Sequence, residues 1–142
     1  MTPTSVDPQL LVDTSVAVAL STVDREARAA CRVLVEGRRL GLSGHAAFET
    51  YSVLTRLPEP SRRTGEAVST LLSRNFPHTV FLDPATTSDL LIRLPAVGIT
   101  GGSVYDALVG ACAAQAGVPL VTRDRRALGT YRALEVDVVL VS

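Results

Sequence analysis

Leu10-Leu11-Val12-Asp13-Thr14-Ser15 decides how the rest of the chain is read. A short apolar run stops on an acid and is followed by two hydroxyl residues. Nothing in the run alternates with polar residues, and no helical stripe crosses it. It therefore reads as a strand buried on both faces. A residue at the carboxyl end of such a strand lies at the edge where open α/β sheets place their ligands. Asp13 also suits a plainer role, capping the helix that follows. Caps are far commoner than active sites, so one strand-end acid decides nothing. What matters is whether other acids converge on the same edge.

Outward from this stretch, strand and helix patterns alternate. Apolar runs at 9–13, 40–43, 79–82, 119–122 and 136–141 read as strands. Segments 14–20, 24–36, 45–57, 61–75, 83–94 and 103–116 read as helices, and 124–131 as a loop with one or two helical turns. The punctuation agrees: Gly37 and Gly117 close helices, Pro58 and Pro60 end another, and Asp83-Pro84 is a cap followed by proline at the first helical position. Ser61 is expected to cap the fourth helix. No repeat or linker divides the chain, so residues 1–142 read as a single α/β domain with a mainly parallel sheet flanked by helices.

Composition narrows the function classes. The 142 residues are 46% hydrophobic, enough for a real core, and no apolar stretch reaches the length of a membrane span. No basic segment followed by an apolar run marks the N-terminus as a signal peptide, and Cys31 and Cys112 read as buried packing thiols, so a cytoplasmic location is expected. All 14 basic residues are arginine, balancing 14 acids. Without lysine there is no lysine nucleophile or phosphate clamp. The two histidines, His45 and His78, show no metal-pair spacing.

Topology sorts the acids. In an α/β sheet, helix N-termini lie at the same edge as strand C-termini. Asp13 and Asp124 follow strands, on adjacent strands if the sheet is built as expected. Glu49 and Asp106 fall in or near first turns of helices. All four can face one cleft. Each also has a local role: Asp13 and Asp124 as caps, Glu49 as a surface carboxylate facing Arg56, and Asp106 in the capping-box form Ser103-x-x-Asp106. Four carboxylates with no histidine nearby make a hard-oxygen site suited to Mg²⁺ or Mn²⁺. Two such ions about 4 Å apart are an established arrangement for phosphodiester hydrolysis. No Ser-His or Cys-His pair offers a protein nucleophile instead. Acid clustering also implies that Asp13→Asn should stabilise the metal-free protein.

The ordered set Val12-Asp13-Thr14-Ser15, Phe48-Glu49-Thr50-Tyr51-Ser52-Val53-Leu54-Thr55-Arg56-Leu57-Pro58, Tyr105-Asp106-Ala107-Leu108 and Thr122-Arg123-Asp124 resembles a PIN domain. More narrowly, it resembles the VapC toxins of bacterial VapBC toxin–antitoxin pairs. The resemblance runs over nearly the whole chain. It implies a three-layer fold with a five-stranded sheet in the order 3-2-1-4-5, and a metal-dependent endoribonuclease. Asp13, Glu49, Asp106 and Asp124 take the family's acidic places, and Ser15 a small hydroxyl position that holds a ligand or a water. The implied partners are RNA, a second copy in a homodimer, and a VapB-type antitoxin whose C-terminal segment covers the active-site groove. An apolar groove between segment 14–20 and helix 45–57 is expected to receive it.

RNA requires positive charge against its phosphates. The candidates are Arg123, Arg125, Arg126 and Arg132 beside Asp124, and Arg56, Arg62 and Arg63 after the third helix; a solvated helix surface explains any single one equally well. Three Tyr, three Phe and no Trp leave few stacking platforms, which favours recognition of a folded RNA. The alternative to an enzyme is a catalytically inactive PIN-like module that binds RNA or protein. Retention of all four acids argues against it.

Overall fold

The computed structural model describes residues 7–142; most of the N-terminal segment read for targeting signals lies outside them. The sheet is built from β1 (Leu10–Val12), β2 (Leu40–Leu42), β3 (Leu120–Thr122) and β4 (Val138–Leu140), all parallel, in the order β2-β1-β3-β4. Helices α1 (Thr14–Ser21), α2 (Arg25–Val35), α3 (Ala46–Thr55), α4 (Gly65–Asn75), α5 (Pro84–Arg93), α6 (Ser103–Ala116) and α7 (Leu128–Ala133) connect them.

Both sheet faces are covered, and the strand alternation shows how. Leu11 and Leu120 point into a core completed by Ala107, Val109 and Tyr131. Leu10, Val12 and Val121 point into a second core with Val16, Cys31, Leu42 and Phe76. Side chains two apart share a face, so β1, β3 and β4 feed both cores, while β2 sends Leu40 and Leu42 into the second alone. Cys31 and Cys112 are buried free thiols, as expected. Burial pushes the Cys112 thiol up to about 11 against the smaller effect of its hydrogen bond with Ser43.

The expected fifth strand, at 79–82, is reduced to a single bridge between Ser43 and Val80. Its place beside β2 is the one expected. His78 N–H donates to the Leu40 carbonyl and Val80 N–H to that of Leu42, but Leu42 N–H donates to the Thr79 hydroxyl at 3.0 Å. A side chain thus takes the position a backbone carbonyl would hold, and the ladder breaks. Gly41 permits the approach: a Cβ there would overlap the His78 carbonyl.

Two caps are corrected. Helix α4 starts at Gly65 rather than near Ser61, because the Thr64 side chain accepts from Ala67 N–H. Helix α6 has Gly102 at its N-cap and no side-chain cap, so Ser103 lies inside the helix and the capping box does not form. Helices α1 and α3, expected to flank an apolar groove, are in contact with each other. The Val-Ala-Val-Ala-Leu run of α1 is apolar nearly all round, and it packs against both α2 and α3. An apolar cavity of about 430 Å³ lies instead between α3 and α4, lined by Phe48, Tyr51, Leu72 and Phe81. No helix among the described residues is long and apolar enough to cross a membrane.

Candidate active site

The parallel pairing of β1 with β3 puts Asp13 and Asp124 on adjacent strand ends, as expected. Both also cap. Asp13 Oδ1 accepts from Val16 N–H at 3.3 Å at the start of α1. Asp124 Oδ1 accepts from Arg126 N–H at 3.0 Å at the start of a short 3₁₀ turn, Arg125–Ala127. Capping and site geometry are therefore the same fact, since a helix that starts at a strand end carries its cap to that edge.

Asp13 is buried, with 4% of its surface exposed. Its carboxylate is filled with hydrogen bonds. Besides Val16 N–H, Oδ1 accepts from the Ser15 hydroxyl at 2.5 Å. Oδ2 accepts from the Tyr131 hydroxyl at 2.9 Å and from the Thr122 hydroxyl. A carboxylate has about four acceptor sites, so four donors saturate it. Burial raises the pKa of Asp13, and these donors oppose the rise.

Two hydroxyls join the strand ends. Ser15 Oγ accepts from Arg123 N–H at 2.8 Å while donating to Asp13. Thr122 Oγ1 accepts from Asp124 N–H at 3.0 Å while also donating to Asp13. In the structure, then, the Ser15 hydroxyl is engaged by protein groups. Tyr131 comes from α7 and is 1% exposed. Its ring sits against Gly110, where a Cβ would come within 3.0 Å of Cδ1. Burial, then the charge of Asp13, pushes its phenol far above the usual range, which keeps it a donor.

Glu49 accepts from the Thr14 hydroxyl at 3.4 Å, and His45 Nε2 lies 3.5 Å from its other oxygen. The expectation of carboxylates without a nearby histidine is thus corrected, and the neighbour of Glu49 on its helix face is His45 rather than Arg56. The i,i+4 spacing of the pair is plain in the sequence. The His45 ring also stacks on Tyr105, with centroids 5.3 Å apart. Asp106, in the first turn of α6, links the set. Burial raises its pKa first, and the charges of Asp124, Glu49 and Asp13 raise it further, with only Arg126 opposing. Asp124, Glu49 and Asp13 thus all lie near enough to Asp106 to act on it.

The donor set is carboxylate oxygen with one imidazole at its rim and no thiolate, which fits a hard divalent cation. Among the described residues, no three His, Cys, Asp or Glu side chains stand together as a ready ligand cage. Arg123, Arg125 and Arg126 are exposed beside Asp124, and Arg126 Nε lies 3.4 Å from Asp124 Oδ1. Arg56 is exposed at the other end of α3, about 10 Å along the helix from Glu49. Arg62 pairs with Glu59, and Arg63 donates to the Ser21 carbonyl at 2.6 Å, a structural use.

The profile of the PIN domain family matches residues 10–133. The chain is a PIN domain. It is 44% identical over 135 residues to ribonuclease VapC27 of Mycobacterium tuberculosis, covering 95% of this chain and 98% of that one. Ribonuclease VapC40 of the same species is 46% identical, covering 92% and 97%. Among solved structures, VapBC2 from Rickettsia felis, bound to a fragment of its promoter DNA, superposes with a TM-score of 0.68 at 12% identity, covering 94% of this chain and 98% of that one. At that identity the superposition shows the fold alone. Within the PIN fold of this chain, the sequence reading omitted Thr122, Tyr131 and His45. Thr122 stands in the quoted Thr-Arg-Asp motif, and His45 one turn before Glu49. Tyr131 carries no local signal, because its partner Asp13 is 118 residues away.

Proposed function

We propose that this PIN domain is a metal-dependent endoribonuclease of the VapC type, the toxin of a toxin–antitoxin pair, hydrolysing RNA phosphodiester bonds at the edge that carries Asp13, Glu49, Asp106 and Asp124. The observation that carries this reading is the convergence of Asp13, Glu49 and Asp124 on Asp106 at one sheet edge, in a chain close to two named VapC ribonucleases. A group of carboxylates at one edge, only partly offset by the Arg126–Asp124 pair, repels phosphate by itself. It becomes useful only with a cation between acid and phosphate.

Glu49, Asp106 and Asp124 would hold Mg²⁺ or Mn²⁺, with Asp13 beneath them as a buried charge. When bound, such an ion supplies an activated water and neutralises charge on the phosphate. The chain's own residues do the rest. Ser15, Thr122 and Tyr131 hold Asp13 in one orientation. Thr122 and Ser15 fix the backbone at Arg123 and Asp124, so the strand ends keep their spacing. Arg123 and Arg125 offer guanidinium groups to the RNA backbone. The partners that fit are a VapB-type antitoxin, as in the VapBC2 assembly, and a second copy of the chain.

Incubating the purified protein with total RNA and Mn²⁺ tests the reading. Discrete fragments should appear, and excess chelator should abolish them. Tight RNA binding with no cleavage under any divalent cation would favour the inactive binding module instead.

A further inference from the structure

Away from the acids, four arginines surround one concavity. Arg28 and Arg32 of α2, Arg38 of the following turn and Arg74 at the end of α4 line a cavity of about 460 Å³, whose floor includes Val35 and Phe76. Glu36 is the only acid in the lining, so four arginines against one glutamate leave an excess of three positive charges in a chain whose net charge is zero. None of the four makes an ion pair among the described residues. Arg32 and Arg74 gain something from the helix C-termini they occupy. Arg28 and Arg38 have no such compensation, and Arg28 stands one turn from Arg32, an unfavourable like-charge spacing.

The cavity lies where β2 begins and α2 and α4 end, the sheet edge opposite the acids. We propose that it is a phosphate-binding site for the RNA backbone, engaging part of a folded substrate remote from the bond that is cut. This rests on the ribonuclease reading and deepens it. Strands of three residues separate the two edges by about 10 Å, plus the flanking loops, a distance that a folded RNA spans and that an oligonucleotide of about three residues, at about 3.4 Å per nucleotide, does not. The guanidinium fork suits phosphate oxygens, and clustered arginines release counterions on binding. Substrates are thereby selected by shape: an RNA must present one phosphate group to the arginines while another stretch reaches the acids.

Fluorescence anisotropy with the full chain in chelator reads this site without any cleavage. The probes are a folded RNA of about 70 nucleotides and a single strand of about 3. The triple variant Arg28→Gln/Arg32→Gln/Arg74→Gln should bind the folded RNA about tenfold or more weakly. Its slope of log affinity against log salt should fall by about two to three. Cleavage of the short strand in Mn²⁺ should match wild type. Should the triple variant melt lower, Arg38→Gln/Arg74→Gln, both exposed and outside α2, gives the same reading with a smaller change. Equal affinity and equal salt slope for variant and wild type overturn the site. Unchanged RNA binding with loss of an acidic protein partner also overturns it, assigning the cavity to that protein. A wild type that binds folded RNA through these arginines but cuts nothing would refute the nuclease reading alone.

Discussion

Asp13 shows how far a single residue's surroundings alter what its charge implies. Acid clustering alone predicts that Asp13→Asn stabilises the metal-free protein. With donors from Ser15, Val16, Thr122 and Tyr131 on its two oxygens, the opposite follows. An asparagine amide would turn an N–H₂ group toward hydroxyls that now donate, leaving buried groups unmatched at a cost of about 1–3 kcal/mol. Urea unfolding should show Asp13→Asn destabilised, with Tyr131→Phe, which removes one of those donors, falling the same way by about 1 kcal/mol. The stabilising role moves to Asp106, which is raised by burial and by three acids and has no comparable set of donors. Asp106→Asn should raise the melting temperature in chelator by on the order of 2 °C, a figure discounted for solvent screening. The pH dependence has a definite sign. Asp13 and Asp106 bind their protons more tightly folded than unfolded. Their contribution is greatest at low pH and is lost as pH rises through the raised folded values. Asp83 runs the other way, but only at more acid pH, where its lowered pKa lies below 3.8. In chelator, the melting temperature should therefore fall as pH rises from about 3.8 through the raised values of these groups, and Asp106→Asn should flatten that trend. A melting temperature that rises with pH over this range would refute the electrostatic account.

At the scale of elements, the short strands and the punctuation around them were legible because they rest on local chemistry. Leu10–Val12 is apolar on both faces, Gly117 takes a left-handed φ of 68° at the end of α6, and Asp83 caps α5 with Pro84 behind it. What was illegible depends on contacts between distant segments. Whether 79–82 becomes a strand turns on a hydroxyl of Thr79 displacing a backbone acceptor, which no pattern in 79–82 announces. Ser61 and Thr64 are both good caps for α4 by type, and only the bond from Ala67 N–H to Thr64 decides between them. Thr64→Ala should therefore cost about 1 kcal/mol in chemical denaturation, while Ser61→Ala should stay within about 0.5 kcal/mol. Equal losses at both positions would contradict the placement of that helix start. The four acids were legible for a topological reason: helix starts and strand ends meet at one edge whatever the side chains do. Tyr131 was not, since α7 reaches Asp13 only once β3 and β4 are stacked beside β1.

At the scale of the molecule, the two sheet edges differ in charge: one gathers the four acids, the other four arginines against one glutamate. The four acids stand at the strand C-termini, with Arg123, Arg125 and Arg126 beside them, and four arginines that make no ion pair among the described residues line the cavity at the start of β2. The apolar cavity between α3 and α4 is a third surface, distinct from both. The PIN fold accounts for the first edge, and this chain's own arginines for the second. The central claim is that the acid edge cuts RNA with a divalent cation. The initial rate of RNA cleavage, measured against Mn²⁺ concentration for wild type and Asp106→Asn, tests it most directly. The account predicts a rate that climbs from nothing to a plateau for wild type, and a loss of about a hundredfold or more for the variant at every concentration. Cleavage that is independent of Mn²⁺, or undiminished in Asp106→Asn, would contradict it.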